Sequence, residues 1–176
     1  MKKTLLLLSL AILCSNCEKD DVCTDETTPR LVLEFYDISN PANVKNVLNL
    51  KVKGVGASDF IVFNKSLSQT DGTRYLFNGS KLQLPLNISQ DLTQYSLILN
   101  STVLIPDEDL LQFNYIRQNI FVSRACGYKT IFELNASPNG VIKTDSAVPT
   151  GYWIKDINIL TSNIVTENET HIKIYW

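Results

Sequence analysis

Four cysteines, one histidine and short acidic runs are the residues of this 176-residue chain whose types could do chemistry. Cys126 lies two residues after Arg124, and a neighbouring cation lowers a thiol pKa toward the reactive thiolate. A cysteine nucleophile also wants a histidine base within hydrogen-bond reach. His171 is the sole candidate, and alternation along His171-Ile172-Lys173-Ile174-Tyr175 puts it on one face with Lys173 and Tyr175. A histidine on such a polar face reads as a surface residue, so no catalytic residue is assigned and the chain reads as no enzyme. Asp107-Glu108-Asp109 follow Pro106. Paired-acid hydrolysis needs two carboxylates fixed about 5 or about 7–9 Å apart across a cleft, which this spacing does not enforce. A calcium loop needs alternating acids and a glycine at the turn. Without that glycine, the run reads as a solvated loop.

The start of the chain explains two of the cysteines. Met1-Lys2-Lys3 is a basic opening, and Thr4 to Leu13 is an almost unbroken apolar run. That run is about half the ~20 residues a membrane-spanning helix needs. A charged start, a short apolar middle and a polar exit describe a secretory signal peptide over residues 1–16. Lipoprotein processing wants a small residue before the modified cysteine. Cys14 follows the bulky Leu13, whereas Cys17 follows Cys14-Ser15-Asn16 and opens the charged stretch, so Cys17 is the expected lipidation site. Membrane attachment through that lipid would make the chain an outer-membrane lipoprotein. Lys19-Asp20-Asp21 looks like an acidic sorting tag for the cell surface, and equally like a solvated tether. Both readings stand here.

With Cys14 removed and Cys17 lipidated, Cys23 and Cys126 remain in an oxidising compartment. A disulfide between them is the economical expectation, and it would close a loop of about 100 residues. Metal binding is the weaker alternative, because the mature chain has no CxxC pair and one histidine. No cofactor is expected. The net charge of −2 becomes −4 without Lys2 and Lys3, which offers nucleic acid no basic face.

Behind a polar tether at 17–29, residues 30–176 carry alternation at period two. Leu31, Leu33 and Phe35 share a face. Leu48, Leu50 and Val52 do the same, as do Leu82, Leu84 and Leu86, where Pro85 marks an edge or bulge. Tyr95, Leu97 and Leu99 follow, then Leu111, Phe113 and Tyr115, then Phe132 and Leu134. Trp153, Ile157 and Ile159 precede the closing Ile172, Ile174 and Trp176. Asp71-Gly72, Asn78-Gly79 and Asn139-Gly140 are two-residue hairpin signals. The best helical candidate is the short Pro106–Leu111. The pattern predicts an all-β domain, an antiparallel two-layer sandwich of eight or nine strands, with a partly closed barrel as the alternative.

The runs CEKDDVC at 17–23, TTPRLVLEFYD at 27–37, FVSRACGYK at 121–129 and the ending HIKIYW together resemble an uncharacterised family of small Gram-negative lipoproteins. The resemblance covers nearly all of the mature chain. It implies a secreted lipoprotein with a cysteine pair and implies no activity. Small anchored β-domains present loops or sheet edges to other molecules. The expected partner is therefore another envelope protein or a glycan. Tyr152 and Trp153 are the aromatics that could contact it, with core packing the competing reading for Trp153.

Overall fold

The computed structural model describes Cys23 and residues 27–146 and 151–176. Among these, eleven strands form: β1 (Leu31–Tyr36), β2 (Val47–Gly54), β3 (Phe77–Gly79), β4 (Lys81–Leu84), β5 (Leu92–Leu99), β6 (Asp107–Ser123), β7 (Gly127–Leu134), β8 (Val141–Asp145), β9 (Asp156–Ile159), β10 (Asn163–Ile164) and β11 (Ile172–Tyr175). Nine of them are four residues or longer, which matches the reading of eight or nine; β3 and β10 are short additions. Two sheets pack face to face. One runs β4-β1-β11-β9; the other runs β10-β7-β6-β5-β2-β3, with β8 also paired to β6. All pairings are antiparallel except β1 with β11. The sheets do not close into a barrel.

Period two produces this directly. Leu31, Leu33, Phe35, Leu82, Leu84, Ile172 and Ile174 face inward from the first sheet. Leu50, Val52, Tyr95, Leu97, Leu99, Leu111, Phe113, Tyr115, Phe132 and Leu134 meet them from the second. β4 ends at Leu84 and lies at the sheet edge, where Pro85 removes no ladder donor.

β2 departs from the simple alternation expected of Leu48, Leu50 and Val52. Val47, Leu50 and Val52 are buried, while Leu48 is exposed. Asn49 takes φ 53°, and the register with β3 shifts between Val47 and Leu50, so a bulge turns the strand over. Asn tolerates this left-handed conformation because its short amide finds local partners. Here the Asn49 side-chain amide donates to Thr102 Oγ1 at 3.5 Å, while its backbone N–H donates to Asn78 Oδ1 at 2.8 Å and its carbonyl accepts from the Ser101 N–H at 3.0 Å.

The short helix expected over Pro106–Leu111 does not form: β6 begins at Asp107 and pairs with β5 on one side and β8 on the other. None of the three expected hairpin dipeptides joins a hairpin. Asp71 caps a single 3-10 turn by accepting from the Thr73 N–H. Gly79 pairs with Val47 before the chain crosses to the other sheet as β4. Asn139-Gly140 precedes β8, and β7 and β8 both pair with β6. Gly140 is required there because a Cβ would collide with the Asn135 carbonyl oxygen. The true hairpins are β5–β6, closed by residues 100–106, and β6–β7, closed by Arg124-Ala125-Cys126 ahead of Gly127 at φ 69°.

Candidate functional site

Cys23 and Cys126 are joined in a disulfide across 103 residues of sequence, with their Cα atoms 4.9 Å apart. The economical pairing is the one formed. Its position was not foreseen. β5 leaves β6 at Asn114 and β8 leaves it at Phe113, so the outer part of β6 pairs with β7 alone. The bond sits at the tip of this two-stranded ribbon, where the Cys126 N–H donates to Ser123 Oγ at 3.1 Å. Phe121 and Tyr128 face each other across the ribbon, their rings edge to face at 5.4 Å. They are 59% and 74% exposed. Residues 27–30 lie beside β7, where Thr28 Oγ1 accepts from the Thr130 N–H at 3.1 Å. They are tied down again where Arg30 pairs with Glu167 at 2.6 Å. Cys14, Cys17 and Lys19-Asp20-Asp21 lie outside the described residues.

The other end of β6 carries the second feature. Seventeen strand residues at about 3.3 Å each put the β5–β6 loop ~50 Å from the tip. In that loop Leu104 is 96% exposed and Ile105 73%, beside an exposed Val103. The loop root is fixed: Ser101 binds the Asn49 carbonyl through both its N–H and its hydroxyl, at 3.0 and 2.7 Å.

The residues with catalytic potential are committed elsewhere. His171 is fully buried, against the expectation of a surface residue. Its Nδ1 accepts from the Val32 N–H at 2.9 Å, and the His171 backbone N–H donates to the Val32 carbonyl at 3.0 Å. The ring thus completes the β1–β11 ladder one residue before β11 begins. Burial pushes its pKa below the usual value, against the pull of Glu169, the Thr166 backbone and Glu167. The neutral ring with its proton on Nε2 is the form that fits Nδ1 as acceptor.

Asp109 is also fully buried, which corrects the solvated-loop reading of Asp107-Glu108-Asp109. Oδ2 accepts from the Ile154 N–H at 2.7 Å. Burial pushes its carboxyl pKa up; Ile154 and Lys143 oppose that, and Asp145, its cross-strand neighbour, adds to it. The Lys143 ammonium donates to the Ile154 carbonyl at 2.6 Å and lies 4.4 Å from the centre of the Tyr152 ring. Trp153 is core: its indole N–H donates to the Leu97 carbonyl at 3.2 Å, and its ring packs 6.1 Å from that of Trp176.

An open depression of about 430 Å³ is lined by residues 27–30 with Glu167 and Asn168, and its charged groups pair with each other. A second, of about 320 Å³, lies between Ser137-Pro138, Val141 and β9. Neither is lined by His171, Asp109 or a cysteine. No curated protein and no solved structure matches the chain. A family model does match residues 49–176, taking in the ribbon, Cys126 and His171, and the chain belongs to that family of unknown function, DUF6452.

Proposed function

We propose that this chain is a Gram-negative lipoprotein held on the outer membrane by lipid on Cys17, and that its sandwich is a non-catalytic module assembling with another envelope protein. The observation that carries the reading is Leu104-Ile105, exposed on a loop whose root is hydrogen-bonded in place. Fully burying one such side chain contributes about 1.5–3 kcal/mol. Leu48, next to the bulge that holds the loop, is exposed as well. Exposed apolar groups held on a fixed frame suit contact with a protein partner. The buried positions of His171 and Asp109, and the bond on Cys126, support a role without catalysis.

The test uses the full chain in its own envelope. Radiolabelled palmitate should mark the wild type and spare Cys17→Ala. A photoreactive residue at Leu104 should crosslink to one discrete envelope protein, and Leu104→Asp should lose that partner while the melting temperature stays put. Crosslinking at Leu104 to nothing, with the acylated chain in place, would sink the assembly role. The sorting tag at Lys19-Asp20-Asp21 would carry the domain to the cell surface. Protease added to intact cells should remove the domain, and alanine at Lys19, Asp20 and Asp21 should make it resistant.

A further inference from the structure

We infer that the tip of the β6–β7 ribbon is a membrane-facing end, with the Phe121–Tyr128 pair seated among the headgroups of the leaflet that holds the lipid. The inference rests on acylation at Cys17 and adds to it an orientation and a contact surface.

The geometry begins with a leash. Cys17 and Cys23 are six residues apart, and fully extended chain spans at most ~3.6 Å per residue, so the anchor and the bond stay within about 22 Å. The disulfide carries that limit over to Cys126. Tyr128 lies two residues beyond Cys126, and Phe121 faces it across the ribbon. The β5–β6 loop, ~50 Å further along β6, is beyond the reach of the same leash when the strand stands away from the bilayer.

The position of the bond also points this way. The inward-facing residues of the core lie in the sandwich body, whereas Cys126 sits at the end of a two-stranded ribbon. A bridge there shortens the tether far more than it supports packing. Aromatic rings with a polar edge favour the membrane–water boundary, where Tyr keeps its hydroxyl wet while the ring leaves water. Phe121 supplies an apolar ring and Tyr128 an amphipathic one, already in edge-to-face contact and exposed. From Leu110 to Phe132 the chain holds Arg117, Arg124 and Lys129 and no carboxylate. Arg117 is paired with Asp91, which leaves Arg124 and Lys129 near the tip for lipid phosphates. Glu18, Asp20 and Asp21 of the leash offset that attraction, so the rings carry the contact.

The experiment places a tryptophan at each end of β6 in the acylated full chain, as Phe121→Trp or Leu104→Trp, on phosphatidylcholine vesicles brominated near the headgroup. The native Trp153 and Trp176 are subtracted using the wild type. Emission from the Phe121→Trp variant should be quenched several-fold more than that from the Leu104→Trp variant. Adding Cys23→Ser with Cys126→Ser should bring the two closer together while the chain stays on the vesicles. Equal quenching at both ends of vesicle-bound protein would overturn the inference, as would quenching at residue 121 that ignores loss of the bond. An acylated chain that does not stay on vesicles would defeat the anchor reading first, and the inference with it.

Discussion

Val32 and His171 exchange two hydrogen bonds, one from each backbone N–H, and one of the acceptors is an imidazole nitrogen rather than a carbonyl. A side chain thus does the work of a ladder residue inside the core. His171→Ala removes the acceptor for a buried N–H and leaves a cavity, and we expect a cost of about 2–4 kcal/mol in urea unfolding. The histidine also makes stability depend on pH. Its folded pKa lies below the unfolded value near 6.5, so above that pH both states are neutral and nothing is lost. As pH falls below about 6.5 the unfolded chain takes the proton first, and the urea midpoint of the wild type should drop more than that of His171→Ala. Asp109 works with the opposite sign. Its folded pKa is raised, so its contribution is present below the unfolded value near 3.9 and is lost as pH rises through the folded one. Asp109→Asn keeps an acceptor for the Ile154 N–H without the charge. It should therefore unfold at higher urea than the wild type at pH 7, and the gain should fade below about pH 4. A loss of stability at pH 7 would mean that the charge itself is needed beside Lys143.

At the scale of elements, the bulge at Asn49 sets both the face of β2 and the root of the β5–β6 loop. A β-branched residue in left-handed backbone is strained, so Asn49→Val should cost about 1–2 kcal/mol in unfolding experiments, while Asn49→Gly should cost less. This element also shows what alternation can tell. Leu50 and Val52 read correctly because period two needs no outside information, but Leu48 reversed because a bulge inserts a residue without altering composition. Asn78-Gly79 has hairpin chemistry, yet its asparagine serves the bulge across the sheet. Such partners are set by tertiary contacts that local spacing does not encode. The candidate site divides the same way. The cysteine pair was legible because the expected leader and the expected lipid site would each take one of four thiols, which leaves two. The ribbon tip was not, since Phe121 and Tyr128 meet only through the β6–β7 register. Val103-Leu104-Ile105 looks like core in any window of sequence, and only the pairing of β5 with β6 turns it outward.

For the whole molecule, the bond between Cys23 and Cys126 encloses six of the eleven strands, with β7 to β11 lying beyond it. The chain-entropy account assigns a 100-residue loop roughly 4.7 kcal/mol, and Cys126→Ser should destabilise by about 2–5 kcal/mol in urea titration. The same enclosure governs how the protein answers force. A pull applied between Cys23 and Trp176 enters the body at Cys126, so β1 to β5 cannot be peeled away in order. Only the 50 residues from Gly127 to Trp176 can pay out from the body, about 170 Å of contour at ~3.5 Å each. Reduction would release the 103 residues of the closed loop, roughly 350 Å more. Under load, oxidation therefore shortens the extensible length between Cys23 and Trp176 about threefold, and β6 stays behind the bond as a strut that tension at Cys23 does not unravel.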